Sequence, residues 1–299
     1  MNCRVLYSFV ALPLAVLAAP AVRSDMLVST DWLAQHLNDP KVVILQVSRD
    51  RTAYDAGHIP GARFLALSDL VVTREGVLNE LPPAADLKAL FERSGVSDDS
   101  RVILYGDASI LPASRAYFTL DYLGHGDRTA LLDGGLPKWR AESRMLSKDA
   151  PEVKAGRFTP HPRQEAVVEI DRVKDLSSAA AKGTPGSTVL LDARPATEYS
   201  GKNAAQEITR PGHIPGALNL FWMDGQASKD GMTMMPEADL RKLYEQVGVT
   251  PDRSVVTYCN TGMQASQSYF TLKYLGYDVH MYDGSYSQWS SAKDTNVQK

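Results

Sequence analysis

The sequence predicts two tandem α/β domains, each a mainly parallel sheet flanked by helices on both faces. Three observations carry that expectation. The chain has 299 residues, room for two hydrophobic cores of ordinary domain size. Its second half repeats the landmarks of its first half in the same order. Within each half, short apolar runs alternate with helical patterns, the order that builds a parallel sheet covered on both sides. The composition, 44% hydrophobic and 22% charged, is that of an ordinary globular protein and excludes collagen-like, coiled-coil and wholly disordered chains. Thirty-two Lys and Arg stand against 35 Asp and Glu, a net charge of −3. That balance leaves no electrostatic footprint for a nucleic acid, and small-molecule chemistry is expected instead.

Residues 1–21 read as a secretory signal. Arg4 precedes an apolar stretch over 9–19 broken only by Pro13, and Ala19-Pro20-Ala21 places small residues where a signal peptidase cuts. The stretch falls short of the ~20 residues a membrane-spanning helix needs. No later segment is long and apolar enough to span, so no stable membrane anchor is expected after cleavage near Val22. Such a protein is exported, to the periplasm if its source is a Gram-negative bacterium. Of the two cysteines, Cys3 leaves with the signal and Cys259 remains. A lone thiol in an oxidising compartment is either inert by burial or kept for its reactivity.

The two copies follow, over 22–143 and 167–299. Gly57-His58-Ile59-Pro60-Gly61-Ala62 recurs as Gly212-His213-Ile214-Pro215-Gly216-Ala217. Pro83-Ala84-Ala85-Asp86-Leu87 recurs as Pro236-Glu237-Ala238-Asp239-Leu240, and Tyr117-Phe118-Thr119-Leu120 as Tyr269-Phe270-Thr271-Leu272. Asp133-Gly134 with Trp139 recurs as Asp283-Gly284 with Trp289. The large period excludes a solenoid of short repeats. Between the copies, residues 144–166 contain Pro151, Pro160 and Pro162 and are expected to run extended over the surface. In the second copy, 188–192 reads as a buried strand, 237–247 as an amphipathic helix and 254–258 as another strand. A helix over 264–275, a strand over 279–282 and a short helix bearing Trp289 complete it.

Chemistry is expected at Cys259, between a strand end and a helix N-terminus. Loop N–H groups and the helix dipole there stabilise an anion, so the thiol should ionise readily and act as a nucleophile. The repeat supplies a control. Aligned strands put Gly106 at the place of Cys259, and the first copy has one more residue before its Tyr-Phe landmark, so one active and one silent copy are expected. The substrate cleft should then lie near the interface between the copies. Arg194, just past Asp192, belongs to the same sheet edge as Cys259. Its guanidinium could fork onto a donor's sulfonate or carboxylate, and a salt bridge to Asp192 or another local acid is compatible with that role. His58 and His213 recur in both copies and are read as turn residues, Trp139 and Trp289 as packing anchors. The six histidines show no ligand spacing for a metal.

These residues resemble the tandem-domain rhodaneses, the thiosulfate and 3-mercaptopyruvate sulfurtransferases. The carriers are Leu191-Asp192-Ala193-Arg194, both Gly-His-Ile-Pro-Gly-Ala stretches, Tyr258-Cys259-Asn260-Thr261-Gly262 and the segment from Asp283-Gly284 to Trp289. The resemblance implies two rhodanese-like domains with a silent N-terminal copy. It also implies a six-residue loop, Cys259, Asn260, Thr261, Gly262, Met263 and Gln264, that cradles a persulfide with N–H groups reaching to Ala265. Arg194 would then bind the donor, with Asp192 supporting it. No cofactor or metal is implied, only a small-molecule sulfur donor and a thiol or cyanide acceptor. Nothing in the sequence specifies an oligomeric state. Asn260-Thr261 matches neither the Arg-Lys of thiosulfate enzymes nor the Gly-Ser of mercaptopyruvate enzymes, and Glu198 stands where a second donor-binding arginine is usual. Thiosulfate is favoured because no second arginine awaits a keto acid carboxylate; mercaptopyruvate and a protein-bound persulfide stay open as donors. A phosphatase of related fold would need arginine where this chain has Ala265, and a non-catalytic scaffold is the remaining rival.

Overall fold

The computed structural model describes residues 20–182, 186–228 and 230–299; the leader expected at 1–21 lies, up to Ala19, outside the described residues. Among the described residues no helix is long and apolar enough to cross a membrane.

The first copy contains strands β1 (Leu27–Val28), β2 (Val42–Ser48), β3 (Arg63–Ala66), β4 (Val72–Arg74), β5 (Val77–Glu80), β6 (Arg101–Tyr105) and β7 (Thr129–Leu132). Its helices are α1 (Thr30–Gln35), α2 (Thr52–Ala56), α3 (Ala84–Arg93), α4 (Leu111–Tyr122) and α5 (Gly135–Ala141). The second copy contains α6 (Ile170–Ala181), β8 (Thr188–Asp192), α7 (Ala196–Tyr199), β9 (Leu218–Asn219), α8 (Glu237–Gln246), β10 (Ser254–Tyr258), α9 (Met263–Tyr274), β11 (Val279–Met281) and α10 (Ser285–Ser291). The expected elements of the second copy are all present, with ends shifted by a residue.

Each copy folds about its own parallel sheet, ordered β1-β7-β6-β2-β3 in the first and β11-β10-β8-β9 in the second. Central strands are largely apolar and buried because both faces are covered. Val43, Leu45 and Val47 of β2 pack on the side of Leu87, Leu90 and Phe91 from α3. Ile44 points the other way, toward Leu33 of α1 and Trp139 of α5. The second copy divides alike: Val189 and Leu191 face Leu240 of α8, while Leu190 and Val256 face Val173 of α6 and Trp289 of α10.

The copies meet through α4 and α9, related by the repeat and packed on each other. Tyr117 sits edge-on to Phe270 at 4.8 Å and Phe118 to Tyr269 at 5.0 Å, so each helix offers the same Tyr-Phe pair to its counterpart. Loops cross reciprocally as well. The Leu81 N–H donates to Asp283 Oδ2 at 2.8 Å, and the Met234 N–H to Asp133 Oδ1 at 3.0 Å. A buried ion pair completes the junction: Arg115 Nη1 lies 2.5 Å from Asp283 Oδ1, with side chains 0% and 7% exposed.

The segment between the copies carries no helix or strand over residues 150–163. It is held to the first copy by the His58–Ser147 bridge, by the Asp98 N–H donating to the Arg157 carbonyl at 3.0 Å, and by Phe158, buried against Phe91. Its last residues form the 3-10 turn Gln164–Ala166 ahead of Val167, which bridges to Met281 beside β11. That arrangement mirrors Ser24–Met26 ahead of β1.

Candidate active site

Cys259 is the first residue past β10, a strand with neighbours on both sides, at the carboxyl edge where open α/β sheets hold their ligands. Gly262 ends the turn that follows, at φ +81°, and α9 begins at Met263. The positive φ is what lets the chain reverse and enter the helix within three residues, and glycine adopts it without cost. The N–H groups of Ala265, Thr261 and Gln264 converge on the Cys259 sulfur. From the opposite side, the Tyr286 N–H donates to the Cys259 carbonyl at 2.8 Å and the Ser287 N–H to that of Asn260 at 3.0 Å. Met263 and Ala265 are buried, and the Gln264 Oε1 is buried without a partner.

The thiol itself departs from expectation. Cys259 is 1% exposed, and burial pushes its pKa up from the ordinary thiol value, with the charge of Asp192 adding to the rise. The three N–H groups act in the other direction without prevailing. Sequence position suggested a readily ionised thiol; burial penalises the thiolate by more than the cradle returns.

Arg194 lies in the ion pair with Asp192 that the sequence also allowed. Its side chain is 1% exposed and bonded to Asp192, with Nε 2.9 Å from Oδ1 and Nη2 2.6 Å from Oδ2. Nη2 also donates to the Gly212 carbonyl at 2.8 Å, Nη1 approaches Asn260 Oδ1 at 3.4 Å, and the guanidinium stacks 4.1 Å from the Tyr286 ring. Burial alone would lower its pKa, but Asp192 more than offsets this and Arg194 stays charged. The pairing with Asp192 is reinforced by the Arg194 N–H, which itself binds Asp192 Oδ1 at 3.0 Å. With its bidentate edge occupied, Arg194 anchors Asn260, whose Nδ2 donates to Glu198 Oε2 at 2.7 Å. Arg194→Lys is therefore expected to lower stability by about 1–3 kcal/mol while the donor KM changes less than about threefold. Thermal melts beside steady-state kinetics read both.

A third expectation changes with burial. Gly262 is not at the surface, and a Cβ there would lie 3.1 Å from both Arg115 Nη1 and Asp283 Oδ1. Gly262→Val should cost about 3 kcal/mol through left-handed strain and crowding, besides turnover, and not the modest amount a surface loop implies. A melting curve within error of the parent would contradict this.

The first copy cannot reproduce the site. A Cβ at Gly106 would overlap the Ser109 carbonyl oxygen, and α4 follows Ile110 in right-handed conformation with no glycine turn. The recurring histidines are turn residues: His58 stacks on Tyr54 at 3.8 Å and His213 on Tyr199 at 3.6 Å. Trp139 and Trp289 are buried anchors, each donating Nε1 to a carbonyl at 2.8 Å.

Three residues near the cradle had no signal of spacing. Ser285 holds φ +53°, where the first copy has Gly135 at φ +52°. Its hydroxyl accepts the Cys259 N–H at 3.3 Å, so the copy with the cysteine tolerates a strained serine where the other has glycine. Comparing Asp133-Gly134-Gly135 with Asp283-Gly284-Ser285 would have exposed it. Asn79 donates Nδ2 to Thr261 Oγ1 at 2.9 Å, and Arg115 stands behind Gly262. Both come from the first copy.

The chain matches the rhodanese-like domain twice, over residues 29–142 and 173–292. It is 38% identical over 287 residues to the "Sulfur carrier protein TtuD" of Thermus thermophilus, covering 92% of this chain and 97% of the relative. It is 35% identical over 277 residues to a Mycolicibacterium smegmatis protein named "Putative thiosulfate sulfurtransferase", covering 90% and 96%. Among solved structures, the anaerobic ergothioneine biosynthesis enzyme from Chlorobium limicola, in complex with trimethyl histidine, superposes with a TM-score of 0.79 at 24% identity. That match covers 92% of this chain and 70% of the other and shows a shared fold. Two matched domains, two sheets in tandem and a strand-end cysteine in the second copy alone lead to one conclusion: the chain belongs to the tandem-domain rhodanese family.

Proposed function

We propose that the protein is a sulfurtransferase that takes the sulfane sulfur of thiosulfate onto Cys259 and hands it to a thiol or to cyanide. The observation that carries this reading is the convergence of three backbone N–H groups on one strand-end sulfur. In the loading step the Cys259 thiolate attacks the outer sulfur of thiosulfate. The new S–S bond forms as the old one breaks, and the electron pair leaves on sulfite. The persulfide anion keeps the single negative charge the thiolate brought, and the Ala265, Thr261 and Gln264 N–H groups are placed to stabilise it. An acceptor thiolate or cyanide then attacks the outer sulfur and returns Cys259 as thiolate. No electrons are gained or lost overall.

A second reading concerns the donor. Beside Cys259, Asn260 is tied to Glu198 and Arg194 is paired with Asp192, a poor setting for a dianion and a tolerable one for a protein-bound persulfide. The sulfur-carrier name of the Thermus relative favours the same alternative. Incubation with thiosulfate and no acceptor separates the readings. A single turnover's worth of sulfite supports the thiosulfate reading. Sulfur uptake only from 3-mercaptopyruvate or from a persulfidated protein replaces the donor, and no uptake from any of them leaves a scaffold.

Export belongs to this proposal, on the pattern of Arg4, the apolar stretch and Ala19-Pro20-Ala21. Cleavage before Val22 would keep the Arg23 N–H on the Tyr274 carbonyl at 2.8 Å, but would forfeit the bond from Arg241 to the Pro20 carbonyl. N-terminal sequencing of the protein recovered outside the cytoplasm checks the site.

A further inference from the structure

We propose that the copy without a cysteine carries a binding site of its own, a cavity walled by Arg51, Arg63 and Arg93 that takes a small organic molecule bearing carboxylate or phosphate groups. The cavity measures about 330 Å³ and lies between α2, the start of β3, the end of α3 and the connecting segment at Pro151. That volume suits an organic ligand better than a lone ion. Three guanidiniums face a single carboxylate, Asp69, among the described lining residues. Two of them hold only exposed partners: Arg51 lies 3.1 Å from Asp55 and Arg93 3.4 Å from Asp69, and all four side chains are at least 45% exposed. Such pairs are worth little and can be exchanged for a ligand. Arg51 also lies 5.0 Å from the Tyr54 ring and 5.1 Å from that of Phe64, which places its cation over the aromatic wall of the cavity. Arg63 is the most buried of the three. Burial lowers its pKa, and no acidic neighbour offsets the loss. Its Nη1 donates to the Ser94 carbonyl at 2.5 Å, beside Gly95 at φ +79°, where a Cβ would overlap the guanidinium. A part-buried guanidinium without a counter-ion is stabilised by an oxyanion that supplies one.

The repeat shows that the fold does not require these cations. Leu218 stands five residues past His213, as Arg63 stands five past His58. It fills the matching place, since a Cβ at Gly248 would lie 3.6 Å from Leu218 Cδ1. Gln246 precedes Gly248 by two residues, as Arg93 precedes Gly95. Ala196 precedes Tyr199 by three, as Arg51 precedes Tyr54, and each tyrosine stacks on the histidine of its own copy. The copy with Cys259 therefore builds the same strand start, helix end and glycine turn with leucine, glutamine and alanine. Capping the end of α3 does not explain Arg63, because α8 ends at the same turn without a cation at that place. Charges kept for solubility alone have no reason to converge. Here a loop, a strand and a helix end, far apart in sequence, each bring one arginine to a single cavity.

The test reads binding alone and is independent of sulfur transfer. Isothermal titration calorimetry of the full chain at low ionic strength uses two probes, pyrophosphate for the phosphate class and citrate for the carboxylate class. At least one is expected to bind at one site per chain, although the fold is duplicated, with Kd below about 1 mM. The tighter probe names the class. Each arginine is then replaced by the residue the other copy uses. Arg63→Leu should weaken binding about tenfold or more, and Arg51→Ala and Arg93→Gln by about threefold to tenfold each. Arg128→Gln, which removes an exposed cation outside the cavity, should change Kd less than about twofold. Should Arg63→Leu prevent folding, as a melting curve would show, the exposed Arg51 and Arg93 carry the same comparison. Absence of saturable binding by both probes overturns the proposal. So does an equal loss in Arg128→Gln and the cavity variants, which would reduce the effect to net charge.

Discussion

Cys259→Ser is expected to abolish sulfite release from thiosulfate while the melting temperature stays within about 4 °C of the parent, a change of no more than about 1–2 kcal/mol. The reason for the first half is chemical. A serine hydroxyl at this site is neither ionised nor able to carry sulfane sulfur, and the first copy offers no second thiol, since Gly106 stands at the matching place. The reason for the second half is geometric. Three N–H groups already aim at this atom, so a buried hydroxyl finds partners at once and pays little for desolvation. The parent thiol should also react with alkylating agents more slowly near neutrality than a free cysteine, with its rate climbing further into the alkaline range because burial raises the thiol's pKa. Sulfite release by Cys259→Ser at more than a trace would remove the residue from the mechanism.

Asp283→Asn should be the most destabilising polar substitution in the junction. Arg115 is 0% exposed and spends two hydrogen bonds on Asp283, at 2.5 and 3.2 Å. Removing the carboxylate leaves a buried cation without its counter-ion, which costs about 3–5 kcal/mol. For a chain of this length that is a fall in melting temperature on the order of 10 °C. An exposed pair gives the scale. Arg51 and Asp55, with side chains 53% and 60% exposed, should lose less than about 0.5 kcal/mol in Asp55→Asn. Calorimetry on the two variants side by side decides the matter: equal melting temperatures would mean that Arg115 finds water or another acceptor when Asp283 is neutralised.

Sequence and structure agree where the determinants are local or repeated. The strands of the second copy were legible because Val189 to Leu191 are apolar without interruption and Val255-Val256-Thr257-Tyr258 is apolar but for Thr257, as a strand covered on both faces tends to be. The Gly-His-Ile-Pro-Gly-Ala stretches were legible as turns because they recur in the copy that has no cysteine. Cys259 was legible because a strand end, a glycine turn and a helix start meet around it. Three properties of the site were not. Whether Arg194 faces a donor or Asp192 depends on a backbone turn that no spacing reports. The direction of the thiol's shift depends on how deeply the surrounding fold buries it. Asn79 and Arg115 reach the cradle from the other copy, across an interface whose register no single half of the sequence contains.

The ion pair that joins Arg115 to Asp283 also constrains the order of assembly. Synthesis proceeds from the N-terminus, so α4 leaves the ribosome carrying a guanidinium meant for burial long before its carboxylate is made. The same helix waits with Tyr117 and Phe118 uncovered until Tyr269 and Phe270 arrive. The N-terminal half can collapse around its own sheet during translation, but its last face stays wet and adhesive in the meantime. Native packing of that half is thus a late, long-range event, completed only once nearly the whole polypeptide has emerged, and a nascent chain arrested before Asp283 would remain a half-finished, aggregation-prone body.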